Sequence, residues 1–216
     1  MPDHSATTHL ARESLLAEAG YGCVLCGTPV VTFPSGSRGE IVLCPEHSRL
    51  FESGEIDPTA VADSLKLPFN LGHPAESGVL SVSSRYPVAR FKGVIVVNDE
   101  LTVSADGETL LRLRVIEGRL VVSLKVYDSD DVLKADIVDN EWEYGDPEEI
   151  LIDHSPNKLA IRFRTAAPIL TIDANKTPLQ LTASLSRNGV PILMSSKGIS
   201  VGDRLGSFID DGMQAA

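Results

Sequence analysis

The sequence predicts an α+β chain in two parts, a small helix-flanked module followed by an all-β domain. Three observations carry this expectation. Every cysteine in the chain falls in two short-gap pairs near the N-terminus, Cys23-x-x-Cys26 and Cys44-x-x-His47. Beyond residue 84 apolar and polar residues alternate at period two, the spacing of half-buried strands. Between these regions, residues 72–84 are rich in glycine, serine and proline, the composition of a linker. The expected boundaries are residues 1–70 for the first module, 71–84 for the linker and 85–216 for the all-β domain.

The first element is a short helix over residues 12–20, ended by Gly20. The two pairs follow. Thiolate sulfur and imidazole nitrogen suit tetrahedral zinc, and four protein ligands leave no open position for a catalytic water. Cys23, Cys26, Cys44 and His47 are therefore the expected ligands of one structural Zn2+. Three scattered core thiols and a surface histidine would explain the paired spacing less well. A disulfide explains it least, because Cys23 and Cys26 are too close in sequence to staple anything useful. The second pair enters a helix. Asp57-Pro58 then supplies an N-cap and a first-turn proline, so another helix runs from 58 to 66, with Pro68 just beyond it.

The flanks of these pairs carry a resemblance. Tyr21-Gly22-Cys23-Val24-Leu25-Cys26-Gly27 is followed by Ile41-Val42-Leu43-Cys44-Pro45-Glu46-His47-Ser48-Arg49-Leu50, then by Ser53-Gly54-Glu55-Ile56 and the Asp57-Pro58 helix start. This arrangement resembles the HNH endonuclease family, in which a zinc-stabilised treble clef carries the nuclease site. The resemblance covers residues 10–70, and its most specific part runs from 43 to 68. It implies a treble clef and a zinc held by the four residues above.

Two departures from the family bear on activity. Active members place a second histidine directly after the zinc ligand that matches His47, and it helps hold the catalytic divalent metal. That position is Ser48 here. Active members also carry an Asp-His, Glu-His or Ala-His segment between the two zinc pairs, whose histidine is the general base. Residues 27–43 contain no histidine, no asparagine and a single carboxylate, Glu40. Hydrolysis of a phosphodiester needs a base for water and a cation on the leaving oxygen. Neither can be assembled from these residues. The resemblance thus implies a module that keeps zinc and has lost nuclease chemistry, with no catalytic residue assigned. A metal-dependent endonuclease with a rearranged site is the alternative.

The remaining histidines do not restore the site. His4 and His9 fall in a polar N-terminal tail and His73 in the linker, and all three are expected as solvated loop residues. His154 follows Asp153 and is expected in a turn.

Charge narrows the partners. The chain carries a formal net charge of −11, and residues 1–75 hold nine acidic residues against four basic ones. Nucleic-acid binders present a basic face that displaces counterions from phosphates. Nucleic acid is therefore disfavoured as a partner, and a protein partner is expected. No apolar run approaches the ~18 residues that would span a bilayer. The N-terminal residues lack the basic start and apolar stretch of a secretory signal, which with zinc-type cysteines leads us to expect the cytoplasm.

In the second part, Leu111, Leu113 and Val115 alternate with arginines, as do Leu159, Ile161 and Phe163 with Arg162 and Arg164. Leu120, Val122, Leu124 and Val126 repeat the pattern. Turn signals separate these runs: Ala105-Asp106-Gly107, Glu117-Gly118, Asp128-Ser129-Asp130-Asp131, Ser155-Pro156-Asn157 and Arg187-Asn188-Gly189. Strands arriving every ~10 residues with tight turns predict a sandwich or barrel-like domain. A β-solenoid is the alternative. Two stretches of this domain draw notice. Residues 136–149 are crowded with carboxylates that could ligate calcium through oxygen, although an acidic solvated loop is the simpler expectation. Trp142, the one tryptophan, is expected as a core or edge anchor. Arg112, Arg114, Lys125, Arg162 and Arg164 would form a basic stripe if their strands were neighbours, and ordinary cross-paired surface charge is the expected reading.

Overall fold

Short-range signals place the first helices. The computed structural model describes residues 4–36, 39–202, 204–205 and 213–214. Helix α1 spans His4–Glu18, longer at its start than the expected 12–20, and the chain leaves it through Gly20 and Tyr21, both at positive φ. A small hairpin of β1 (Ser35–Gly36) and β2 (Gly39–Glu40) precedes α2 (Pro45–Glu52). Helix α3 (Pro58–Ser64) opens as its cap predicts: the Asp57 carboxylate accepts from the Thr59 N–H at 2.8 Å. A single turn, α4 (Phe69–Gly72), follows Pro68. These helices enclose a small core of Ala19, Val24, Val31, Phe33, Val42, Leu43 and Val61.

The chain separates into two compact units, residues 1–79 and 80–216. The division falls within the stretch expected as a linker. Residues 71–79, including α4 and a 3-10 turn over Pro74–Glu76, belong with the first unit.

The second unit is built of strands alone. It opens with a hairpin of β3 (Val88–Phe91) and β4 (Val94–Val97). Strands β5 (Glu100–Ala105), β6 (Glu108–Ile116), β7 (Arg119–Tyr127), β8 (Leu133–Val138) and β9 (Glu141–Gly145) then pair antiparallel in chain order. Strands β10 (Ile150–Ser155), β11 (Lys158–Phe163), β12 (Pro168–Asp173), β13 (Gln180–Arg187), β14 (Val190–Ser195), β15 (Gly198–Val201) and β16 (Arg204–Leu205) form a second meander of the same kind. The last strand, β17 (Met213–Gln214), returns to lie parallel beside β5. Neither large sheet closes into a barrel among the described residues. The pairing of successive strands is antiparallel, unlike the parallel rungs of a solenoid. Each of the five turn signals read from the sequence lies at a junction between paired strands, because Asp106, Glu117, Asp131, Asn157 and Asn188 all adopt the positive φ that tight hairpins demand.

Alternation buries one face of each strand. Leu111, Leu113, Leu120, Val122, Leu124 and Ile137 are buried in the first sheet, and Leu159, Ile161, Leu170 and Ile172 in the second. The sheets are tied at one corner by Arg187 of β13. Its Nε lies 3.0 Å from Glu108 Oε2 on β6, its guanidinium covers the Tyr127 ring at 4.4 Å, and it also pairs with Asp131.

Three expectations are corrected here. The carboxylate-rich stretch 136–149 is largely a hairpin, β8 turning through Asp139 and Asn140 into β9, with Trp142 half-buried opposite Ile137. The carboxylates are spent on neighbours: Asp139 takes Arg112 and Arg114 at 3.3 and 2.6 Å, and Asp136 lies 3.9 Å from Lys125. The five basic residues make no single stripe. Arg112, Arg114 and Lys125 are on the first sheet, Arg162 is on the second and Arg164 just follows β11, because alternation fixes a side chain's face and not its sheet. His154 sits within β10 opposite Leu159, not in a turn, and its Nδ1 is buried without a hydrogen-bond partner.

Candidate metal centre

Two loops converge to bring the cysteine and histidine pairs together. In the first, the backbone folds back after Cys23: its N–H donates to Thr28 O at 2.9 Å, and Gly27 N–H donates to Cys23 O at 2.8 Å. Gly27 makes that turn at φ +79°, and a side chain there would overlap Asn70 and lie 2.6 Å from the Phe69 ring. In the second loop, Cys44 precedes α2 in extended conformation, with Pro45 in the first turn, so His47 projects one helical step later. The loops are joined by Val24 N–H donating to Val42 O at 3.1 Å and by the two-way Thr32–Leu43 bridge at 2.7 and 3.2 Å.

The result is a tight cluster. The ligand atoms of Cys23, Cys26, Cys44 and His47 all lie within 4.8 Å of one another. His47 Nδ1 is 3.4 Å from Cys23 Sγ and 3.3 Å from Cys44 Sγ, and Cys26 Sγ is 3.9 Å from Cys44 Sγ. A tetrahedral ion at ~2.3 Å from sulfur and ~2.0 Å from nitrogen spaces its ligand atoms about 3.5–3.8 Å apart. The printed separations bracket that edge length, so the four residues could hold a metal ion. Cys23 and Cys44 are buried, while Cys26 and His47 are half-buried. All three thiols are free.

Electrostatics makes the same point. With no cation among them, crowded sulfurs resist ionisation: the Cys44 thiol is pushed far up by its hydrogen bonds to Cys23 and Cys26, and burial adds to this. His47 is pushed up to about 10, first by its bond to Cys23 and next by Cys26, against the opposing effect of burial. A divalent cation reverses both tendencies, because it requires thiolates and a neutral imidazole. The residues fit a tetrahedral, sulfur-preferring ion.

Two supporting residues went unread in the sequence. Thr28, itself buried, places Oγ1 3.0 Å from Cys26 Sγ. Asn70, at 5% exposure, donates from Nδ2 to Gly20 O at 3.0 Å and to Gly27 O at 3.3 Å, clamping the first loop from α4. Neither has a spacing signature. Thr28 is two residues from a ligand and could have been suspected on proximity, whereas Asn70 is reached only through the fold.

The other candidate positions lie elsewhere. Ser48 is buried and its hydroxyl donates to Glu52 Oε1 at 3.3 Å. Glu40 accepts from Arg12 at 3.4 Å, and that guanidinium lies 4.7 Å from the centre of the Phe33 ring. His73 stacks on Phe69 with ring centres 4.8 Å apart, so it is not a freely solvated linker residue. His4 and His9 fall on α1, and their side chains lie outside the described residues. Among the described residues, no other group of three or more histidine, cysteine, aspartate or glutamate ligand atoms gathers as this one does. No helix among them is long and apolar enough to cross a membrane. No protein-family model matches the chain, and neither does any curated protein or solved structure.

Proposed function

We propose that this chain is a zinc-stabilised, non-nucleolytic binding protein, in which a treble-clef module of HNH type is joined to a β-sandwich interaction domain. The observation that carries the reading is the closed four-ligand set of Cys23, Cys26, Cys44 and His47. Zinc bound there would supply folding free energy, and with every coordination position taken by protein it would not activate water. The positions where the family keeps its base and second metal ligand support the loss of chemistry. Ser48 is turned into the module on Glu52, and Glu40 is neutralised by Arg12. The acidic balance favours a protein over a nucleic acid as the partner, acting in the cytoplasm.

Elemental analysis of the purified chain is expected to find one zinc per molecule. Cys44→Ala should lose it and unfold the first unit, since structural zinc contributes on the order of ~10 kcal/mol in small modules. Plasmid DNA should stay intact with magnesium, manganese or nickel. A zinc-free wild type would remove the metal assignment. Cutting that depends on added metal and is abolished by Glu40→Gln, with zinc retained, would make the chain a nuclease with a rearranged site.

A further inference from the structure

The second unit exposes one strand that the sheets do not use. Strand β4 is the run Val94-Ile95-Val96-Val97, and Val94, Ile95 and Val97 are 50%, 50% and 55% exposed. It pairs with β3 on one side only, and its outer edge has no ladder partner among the described residues. Four consecutive apolar residues on an open edge are an invitation to strand pairing, which proteins normally suppress with charge, proline or a cover.

The hairpin turn fixes what this edge offers. Lys92 and Gly93 lie at φ 45° and 85°, the two-residue turn whose central positions are both left-handed. Such a turn makes Phe91 and Val94 the hydrogen-bonded closing pair. By alternation, the backbone N–H and C=O of Val94 and Val96 serve β3, and those of Ile95 and Val97 point away from it. The free edge therefore presents two complete donor–acceptor sites, separated by one residue.

We propose that β4 is a self-association edge, adding antiparallel to β4 of a second copy of this chain about a two-fold axis perpendicular to the sheet. Such an axis keeps each side chain on its own face, so residues that meet across it share the same odd or even position. Centring the axis on Val96 sets Ile95 opposite Val97 of the second copy, and Val97 opposite its Ile95. Each of these two pairs exchanges both backbone hydrogen bonds, while Val96 meets Val96 in the non-hydrogen-bonded position between them. The same register brings Lys92, at the turn of one copy, beside Glu100, where β5 of the other begins. The two-fold makes that contact twice.

This charge placement selects a second copy over an unrelated strand. The edge carries a cation at one end, Lys92, and anions at the other, Asp99 and Glu100, with no charge between. Antiparallel self-pairing matches them, and parallel self-pairing would set like charges together. The proposal rests on the second unit alone and does not depend on the metal reading.

Sedimentation equilibrium of the full chain tests it, with two variants that leave the hairpin's own bonds in place. The wild type is expected to reach twice the 23.2 kDa chain mass in a concentration-dependent manner. Ile95→Lys sets a charge on the exposed edge beside its own copy and should give a monomer with an unchanged melting temperature. Lys92→Asp should weaken the dimer by roughly tenfold, since exposed pairs are worth little individually but here two become repulsive. It also creates an Asp-Gly turn, the sequence this hairpin type favours, so loss of folding cannot explain the effect. A wild type that stays at 23.2 kDa up to its solubility limit would overturn the proposal. So would a dimer that both variants leave intact.

Discussion

Glu108 shows how much one carboxylate can organise. Its Oε1 accepts from Lys125 Nζ at 2.7 Å, its Oε2 accepts from the Tyr127 hydroxyl at 2.9 Å, and Arg187 pairs with it from the other sheet. The Lys125 bond is the first cause holding Glu108 below the ordinary glutamate value of 4.5, with Tyr127 and Arg187 adding to it against burial. The sign follows from linkage. A carboxylate whose folded pKa is depressed contributes stability that is fully present above its unfolded pKa and is lost as pH falls through the folded value. We expect denaturant unfolding of the second unit, followed by the fluorescence of Trp142, to lose stability as pH drops below 4.5. Glu108→Gln should be less stable at neutral pH and show a shallower acid slope. Equal stability and equal slope would mean that this cluster does not hold the sheets together. At the same scale, the zinc expected at Cys23, Cys26, Cys44 and His47 should be released on acidification, because its ligands must be deprotonated.

Among the elements, the one-turn helix α4 has an importance out of proportion to its length. Four residues cannot form a stable helix unaided, so α4 persists because Asn70 is anchored to the carbonyls of Gly20 and Gly27 and because Phe69 N–H donates to Val24 O at 3.0 Å. It closes over the loop that presents Cys23 and Cys26. Asn70→Ala would leave two carbonyls without their donor, at a cost of about 1–3 kcal/mol. We expect the variant to keep the four metal ligands but to bind zinc roughly tenfold more weakly in a chelator competition. Unchanged affinity together with an unchanged melting temperature would show that α4 merely covers the module.

At the scale of the whole molecule, the chain holds two cores of different kinds. The first unit has few buried side chains and a candidate metal site at its centre, whereas the second buries alternating faces of long strands. Small modules with little core depend on staples, and larger sheets do not. Chelation is therefore expected to abolish the first unit's thermal transition while leaving the Trp142 transition unmoved, and residues 80–216 expressed alone should fold as β structure. A single concerted melt that shifts with chelator, and an insoluble 80–216 fragment, would show that the units fold only together.

Local patterns carried the legible part. Two-residue gaps between ligands, an Asp-Pro helix start and glycine- or asparagine-bearing turns each act within a few residues, so the metal-ligand set, α3 and the strands β6, β7 and β11 can be read without knowing their neighbours. Longer-range choices were hidden. Alternation says that Arg112 and Arg162 face outward, but only strand pairing sends them to different sheets. Composition marks residues 136–149 as acidic, but only the partners Arg112, Arg114 and Lys125 turn that stretch into a hairpin instead of a solvated loop. Asn70 is 43 residues from Gly27, and Arg187 is 56 residues from Asp131. Contacts of that span depend on where distant segments pack, and a one-dimensional pattern with periods of two to four residues does not encode it.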